Sequence, residues 1–216
     1  MPPSGDDFFY QATLRICSSL DLKTMLSNCG AYIRHAIPAD GLCMNIYDVA
    51  AKTLEDVAYS TELAFEPGEP IIRLSPEAID YIEDLEKKDP LHPDFIVNSP
   101  QEDPIGKLFW QAIGSPRMCY MFSLLKVGSQ KIGVISLWAK GHNRYTSHHL
   151  EMLNLLNGPF AISLSNALRY RDVLQLKEQL IDDNHYLNRQ LHHLTGDEII
   201  GRNFGLRDVM VKVKQY

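Results

Sequence analysis

Hydrophobic residues in the first part of the chain recur at helical spacing. They predict one helix from Asp6 to Leu20 and a second that begins after Asp21 and ends before Pro38. In the second helix the apolar positions follow i, i+3, i+4, i+7 and i+11, namely Leu22, Met25, Leu26, Cys29 and Ile33. Two amphipathic helices therefore precede the first predicted strand.

From Gly41 the apolar period changes to two, which is typical of β-strands. This strand and a second one, Thr53 to Thr61, are expected to form a hairpin, with Val57 and Tyr59 on one face of the second strand. Further along, the runs MCYMFSLLKV and KIGVISLWAK meet at Gly128-Ser129-Gln130 and predict another hairpin. Because both faces of the last run are apolar, we expect it to be central in a sheet that helices flank.

The segment between the two predicted hairpins, from Phe65 to Pro116, is rich in proline. It holds eight of the twelve prolines, so its backbone is expected to be mostly loop. One helix is predicted to begin at Ser75-Pro76, where serine caps it and proline takes the first position, and a short one is predicted from Ile105 to Ile113. Long loops of this kind are usually functional or mobile.

The last part of the chain predicts one long helix from Ser147 to Leu194, which Gly158-Pro159 should weaken or kink. Beyond Arg169 the pattern becomes a heptad. Leucine at d and asparagine at one a position favour a parallel dimer in a fixed register. The predicted dimer and linker residues are Val173, Leu180, Asn184, Leu187, Leu191 and Leu194. The alternative is a single exposed helix, since several a positions are polar.

Composition narrows the possible functions. The chain has 216 residues, of which 45% are hydrophobic and 22% are charged, as in ordinary globular proteins. The net charge of −6 disfavours nucleic-acid binding by this chain, because phosphate contacts need a local positive field. No apolar run is long enough for a membrane helix, and the N-terminus is acidic where a secretory signal would be basic. We therefore expect a cytoplasmic location and no membrane partner.

Residues 198–214, EIIGRNFGLRDVMVKVK, resemble the opening of the AAA+ domain of sigma-54-dependent transcriptional activators. The matching residues are Ile199, Ile200, Gly201, Leu206, Arg207 and Val209. The phosphate-binding loop G-x-x-x-x-G-K-[ST] is absent from the 216 residues, so this chain cannot hydrolyse ATP by that route. The resemblance implies a chain cut just inside the AAA+ domain.

The stretch from Asp6 to about Tyr170 resembles GAF domains, which are small-molecule and signal-sensing modules. The second hairpin with its internal Gly133 and the N-A-x-x-Y run that ends at Tyr170 carry the resemblance, whereas Pro159 replaces the family's usual polar residue. It implies an α+β fold, a GAF-like antiparallel β-sheet flanked by helices and followed by a long C-terminal helix or coiled-coil linker. The implied divisions are a GAF-like sensory domain at 1–170, a helical coiled-coil linker at 171–195 and the start of the AAA+ sigma-54 interaction domain at 196–216.

Together the two resemblances imply the N-terminal regulatory region of a bacterial enhancer-binding protein. Such a region would bind a small ligand, form a parallel homodimer and relay the change through the linker to its own AAA+ domain. Sigma-54 RNA polymerase and enhancer DNA would be partners only of the full-length protein. The alternative is a dimerisation scaffold with no ligand, in which only the helices matter.

By resemblance, the ligand site would lie between the central strands and the segment from about Ile71 to Tyr120. Polar or aromatic residues there that could hold an anion or a planar ligand are Arg73, His92, Trp110, Arg117 and Cys119. The ordinary alternative for each is structural, with the tryptophan in the core and the arginines solvated. The identity of the ligand stays open.

No catalytic and no metal-binding residues are assigned from the sequence. The cysteines are widely spaced, without a C-x-x-C pair, and are expected to be reduced core residues: Cys17, Cys29, Cys43 and Cys119. Some GAF-like proteins reduce free methionine sulfoxide with a cysteine set, but nothing in the sequence brings these four together. Some GAF activators also resemble gas sensors with non-haem iron, yet no ligand spacing supports such a site at His92, Asp94 and Cys119.

Overall fold

The computed structural model describes residues 5–48, 50–61, 71–88, 94–107 and 118–195, together with the single residues 205 and 212. In chain order, the elements of this part are α1 (Gly5–Ile16), α2 (Leu22–Ile33), β1 (Gly41–Asp48), β2 (Thr53–Thr61), β3 (Ile71–Arg73), α3 (Pro76–Lys88), β4 (Phe95–Val97), β5 (Met118–Val127), β6 (Gln130–Lys140), α4 (Ser147–Leu155) and α5 (Asn157–Thr195).

The strands form one antiparallel sheet in the order β3-β2-β1-β6-β5-β4. Both predicted hairpins are confirmed, since β1 pairs with β2 and β5 pairs with β6. Gly128 opens the tight turn of the second hairpin with a φ of +62°, which glycine adopts without strain. Strand β6 lies between β1 and β5, so the prediction that it is central is confirmed as well.

One face of the sheet carries the larger core, which we call the helix-side layer. The helices α1, α2, α4 and α5 contribute to it, with large buried side chains such as Phe8, Met25 and Phe160. Gly133 in β6 allows α5 to approach closely. A β-carbon at this position would overlap the carbonyl oxygen of Asn45 and lie 2.7 Å from Cδ2 of Leu164.

The opposite face of the sheet is covered by α3, and we call this second core the α3-side layer. Burial on both faces is what an internal strand such as β6 requires. The buried residues of the layer come from strands, from α3 and from the segments beside them: Cys43, Leu54, Leu74, Ala78, Ile79, Val97, Ile105, Met118, Tyr120, Phe122 and Trp138.

Local capping explains where several helices begin. Asp21 caps α2 by accepting a hydrogen bond from the backbone N–H of Thr24 at 2.8 Å, and α1 ends at Ile16 rather than at the predicted Leu20. Helix α3 begins at Pro76, as predicted, and the Ser75 hydroxyl accepts from the N–H of Ala78 at 3.3 Å. Of the short helix predicted at 105–113, residues 104–107 are described and helical.

The long C-terminal helix predicted as one element is divided. Helix α4 ends at Leu155, and α5 begins at Asn157. Pro159 is therefore the third residue of α5, where its missing N–H leaves no intrahelical hydrogen bond unmade. The predicted interruption of the helix is confirmed, but it lies at Leu156, and a new helix begins at the next residue.

A bulge in β2 corrects the prediction that Val57 and Tyr59 share a face. The β1–β2 register shifts between Met44 and Asn45, so that β2 has one extra residue there. As a result Val57 packs against the helix-side layer and Tyr59 against the α3-side layer. An extra residue in one strand reverses the alternation beyond it.

The chain divides into two compact units, Met1–Arg169 and Tyr170–Tyr216. The first contains the sheet and both core layers. In the second, residues 170–191 are helical and exposed along their whole length. Among the described residues, no helix combines the length and apolar character needed to cross a membrane. The predicted AAA+ segment at 196–216 lies outside the described residues, apart from 205 and 212.

Candidate functional site

The structure does not bring the two described candidate ligand residues together. Arg73 is exposed at the end of the edge strand β3. Cys119 is buried on β5, with three strands between them, and its side chain belongs to the helix-side layer. His92, Trp110 and Arg117 lie outside the described residues. Contact between these five residues and a ligand stays a prediction.

Cys119 takes part in a set of hydrogen bonds that joins two loops. Its thiol donates to the carbonyl oxygen of Gly141 at 3.3 Å and to that of Asn98 at 3.6 Å. The Asn98 side chain donates to the carbonyl oxygen of Tyr145 at 3.0 Å and accepts from its N–H at 3.3 Å. These contacts tie the segment after β4 to the segment before α4.

The α3-side layer has an aromatic centre. Phe95 stacks on Phe122 with ring centroids 4.8 Å apart, and Tyr120 stacks on Phe122 at 6.0 Å. Tyr81 of α3 meets Phe95 edge-on at 5.9 Å. Burial, reinforced by nearby Asp103, raises the pKa of Tyr81 to about 12, and burial also raises the pKa of Tyr120. Both phenols therefore keep their protons at neutral pH.

A group of polar side chains lies in the same layer, on the adjacent strands β1, β2 and β6. It consists of Cys43, Asn45, Asp56 and Ser136, and we call it the Asn45 cluster. Asn45 and Ser136 are fully buried. The amide of Asn45 donates to Oδ1 of Asp56 and accepts from the Ser136 hydroxyl, the latter at 3.0 Å. The Cys43 thiol donates to the same Asp56 oxygen at 3.6 Å.

Electrostatics make the Asn45 cluster chemically distinctive. Burial raises the pKa of the Asp56 carboxyl, and the hydrogen bonds from Cys43 and Asn45 offset only part of that effect. Burial and the neighbouring carboxylate raise the pKa of the Cys43 thiol well above its ordinary value. Asp56 is half-buried, and within the described residues no lysine or arginine forms an ion pair with it. The cluster therefore places a half-buried carboxyl group in a mostly apolar layer.

The Asn45 cluster does not follow from the sequence when unbroken alternation is assumed in β2. The bulge places Asp56 opposite Asn45, on the same face as Cys43. One signal was present in the sequence: a polar Asn45 within the apolar run LCMNIY, in a strand expected to be buried. The amide would need a partner, and a nearby strand was the place to look for one.

The cysteines are not gathered into one set. The expectation that all four are core residues is wrong for Cys17, which is exposed. Cys29 and Cys119 lie in the helix-side layer, and Cys43 lies in the α3-side layer. Burial raises the pKa of Cys29 to about 12. Because the thiolate is the reactive form, burial makes Cys29 and Cys43 poor nucleophiles.

The histidine pair that begins α4 has roles in the helix. His149 completes a capping box with Thr146, and burial lowers its pKa. His148 lies 3.7 Å from Glu151 on the helix surface. The described part of the chain contains no group of three or more histidine, cysteine, aspartate or glutamate residues that could hold a metal ion.

A separate cavity of about 210 Å³ opens between the α1–α2 turn and α5. It lies on the helix side of the sheet, away from the Asn45 cluster. Its lining comes from residues of both segments: Cys17, Ser18, Ser19, Leu20, Ile162, Ser163 and Asn166. The Ser163 hydroxyl donates to the carbonyl oxygen of Ile16 at 3.4 Å, which holds the two walls together.

Comparison with known proteins gives relatives in sequence and neighbours in fold. The formate hydrogenlyase transcriptional activator of Salmonella typhimurium is 24% identical over 214 residues, covering 94% of this chain and 29% of that protein. Formate hydrogenlyase transcriptional activator FhlA of Escherichia coli is 28% identical over 113 residues, covering 51% of this chain and 16% of that protein. The chain thus spans less than a third of the length of these curated relatives. No family model matches the chain.

Solved structures show the fold. The GAF domain of a phosphoenolpyruvate-protein phosphotransferase from Coxiella burnetii superposes with a TM-score of 0.58 at 12% identity, covering 78% of this chain and 96% of that one. Free methionine-R-sulfoxide reductase from Neisseria meningitidis gives 0.55 at 12% identity, covering 77% and 91%. The fold is therefore found in the GAF domain of a phosphotransferase and in a reductase, and identity at this level transfers no activity. The chain has the GAF fold and is similar in sequence to formate hydrogenlyase transcriptional activators, which confirms the resemblance to the GAF regulatory region of such an activator.

Proposed function

We propose that this chain is the signal-sensing regulatory region of a sigma-54-dependent transcriptional activator. In this proposal residues 1–170 sense a small ligand, and residues 171–195 relay the change to an AAA+ ATPase domain that begins near residue 196. The observation that carries the proposal is the GAF fold in a chain that is similar to transcriptional activators over 94% of its length. Sigma-54 RNA polymerase and enhancer DNA would be partners of the full-length protein.

Ligand binding in the α3-side layer is supported by the Asn45 cluster. Burying Asn45, Ser136 and part of Asp56 beside aromatic rings has a desolvation cost that hydrogen bonds within the cluster offset. A ligand between the sheet and α3 would donate a hydrogen bond to half-buried Asp56, and it would reach Phe122 or Tyr120 only by displacing side chains that pack on them. Ligand contact by Arg73, His92, Trp110, Arg117 and Cys119 stays a prediction, and the two arginines are tested by substitution.

Dimerisation through the linker is supported by the exposure of its apolar positions. Val173 is 60% exposed, Leu180 69% and Leu187 60%, all at the d position of the predicted heptad. The Asn184 side chain accepts from Asn188 at 2.7 Å along the same helix. A second copy of the chain would bury this stripe, and a parallel pairing would align the two Asn184 residues.

Native mass spectrometry of the protein purified without denaturant would test the ligand. We expect a retained small molecule that is displaced when Asp56 is replaced by alanine and kept when exposed Asp172, on the linker helix, is replaced in the same way. Calorimetric titration of the identified molecule into Arg73→Ala and Arg117→Ala would then show whether either arginine contacts it. Unchanged affinity in both variants would remove them from the site.

One observation favours a second candidate, a dimerisation scaffold with no ligand. Met118, Tyr120, Phe122 and Trp138 are each at most 4% exposed, so large side chains fill the described part of the α3-side layer. The scaffold would retain no small molecule, and its melting temperature would not change when metabolite mixtures are added. It would still dimerise through α5.

A further inference from the structure

The backbone of Leu124 joins two separate parts of the chain. Among the described residues, β4 pairs with β5 only at residues 120–122 and does not reach Leu124. There the N–H of Leu124 donates to the carboxylate of Asp94 at 3.0 Å. Its carbonyl oxygen accepts from the side-chain amide of Asn157 at 2.7 Å. We call these three residues the Leu124 clasp.

Asn157 holds the start of α5 against this edge. It is the first residue of the helix and follows directly on the break at Leu156. The same amide nitrogen also donates to the hydroxyl of Ser123 at 2.8 Å, and Ser123 is fully buried. Two hydrogen bonds from one side chain thus attach the helix to β5.

The clasp lies where the two layers meet. Phe122 belongs to the α3-side layer, whereas the next residue, Ser123, contacts Asn154 and Asn157 at the α4–α5 junction. Asp94 is adjacent along the chain to Phe95, whose ring stacks on Phe122. A displacement of β4 or of the aromatic centre would therefore act on the same strand that holds α5.

We propose that Asn157 is a positioning residue that couples the first turns of α5 to the β4–β5 edge through the Leu124 clasp. The inference rests on the proposed sensory function, since it supplies the physical connection between the α3-side layer and the linker helix. Coupling between two parts of a protein is carried by contacts that they share. Here the backbone of Leu124 is hydrogen-bonded to Asp94 on one side and to Asn157 on the other.

An ordinary helix-starting role makes the opposite prediction for one substitution. Asn157→Asp is nearly isosteric, and a carboxylate in the first turn favours a helix. The carboxylate cannot donate, however, so the hydrogen bond to the Leu124 carbonyl oxygen would be lost and an anion would face that oxygen, whereas the Ser123 hydroxyl can still donate to the carboxylate. Asn154→Asp is the matched control, because Asn154 only accepts from Ser123, at 3.5 Å, and a carboxylate can still accept.

Hydrogen exchange of the 216-residue chain, followed by mass spectrometry, would test the coupling. Peptides covering Leu124 and residues 161–168 are the readout, because residues 157–160 of α5 lack an intrahelical acceptor and Pro159 among them has no N–H. We expect Asn157→Asp to raise exchange in both peptides by about tenfold, through the loss of one hydrogen bond and the repulsion that replaces it, and Asn154→Asp by less than about twofold. Equal exchange in the two variants would overturn the role of Asn157.

The coupling itself is read from the other end of the clasp. We expect Asp94→Ala to raise hydrogen exchange in residues 161–168 by about threefold in the wild-type background, on the scale of one lost hydrogen bond. In the Asn157→Asp background we expect Asp94→Ala to have no further effect. No change in 161–168 on Asp94→Ala alone would refute coupling. The experiment uses no ligand, so its outcome is independent of whether native mass spectrometry finds one.

Discussion

Replacing Gly133 with alanine would test whether the close approach of α5 to the sheet is required. The new methyl group would overlap the carbonyl oxygen of Asn45 and lie 2.7 Å from Cδ2 of Leu164. Leu164 can change rotamer, but the oxygen belongs to the backbone of β1 and cannot rotate away. Overpacking of this kind costs about 3 kcal/mol at the upper end, and the lower entropy of the unfolded alanine chain offsets about 0.5–1 kcal/mol.

The expected net loss is about 2 kcal/mol of unfolding free energy, which lowers the melting temperature by roughly 4–8 °C for a chain of this size. Thermal and urea unfolding followed by circular dichroism would measure it. Gly158→Ala is the control, because no heavy atom lies within 4 Å of the added carbon, and we expect a neutral or slightly stabilising effect. If Gly133→Ala is as stable as Gly158→Ala, the reasoning is wrong and β1 or α5 can move aside.

Three further predictions concern the site, the linker and the thiols. Burial raises the pKa of Asp56 in the folded state, so the folded protein is favoured while Asp56 is protonated at low pH. This stabilisation is lost as the pH rises through the folded pKa. The urea midpoint of Asp56→Asn should therefore match that of wild type near pH 4 and equal or exceed it at pH 7. A midpoint that falls relative to wild type between pH 4 and pH 7 would contradict this. Leu180→Glu should convert the dimer to a monomer in sedimentation velocity, whereas Gln179→Glu at the preceding position should not. A dimer in both variants would exclude the heptad seam. Iodoacetamide should label Cys17 first in the native protein, as read by peptide mass mapping. Equal labelling of the buried thiols of Cys29, Cys43 and Cys119 would mean that the core opens.

Much of the fold could be predicted from neighbouring residues. Ser75-Pro76 marks the start of α3, and Gly128 marks the turn of the β5–β6 hairpin, because capping and positive φ are properties of a few adjacent residues. The apolar character of both faces of β6 likewise indicated a strand covered on two sides. The family resemblance added the order of the elements.

The sequence names candidate ligand residues but does not decide which face of the sheet each one occupies. Cys119 lies in the helix-side layer and the next residue, Tyr120, in the α3-side layer. Successive residues of a strand face opposite sides, and a single sequence carries no register information that assigns the sides.

By itself, then, the sequence determined the two N-terminal helices, α3, the four strands of the two hairpins and the heptad of the linker, since each depends on short-range periodicity. The short strands β3 and β4 lie in the segment predicted to be mostly loop. Only the tertiary structure decided which side chains meet. The bulge in β2 brings Asp56 to Asn45, and the pairing of β4 stops short of Leu124 and leaves that residue to Asp94 and Asn157. Both depend on pairing between strands and segments far apart in the chain, where a shift of one residue changes every contact.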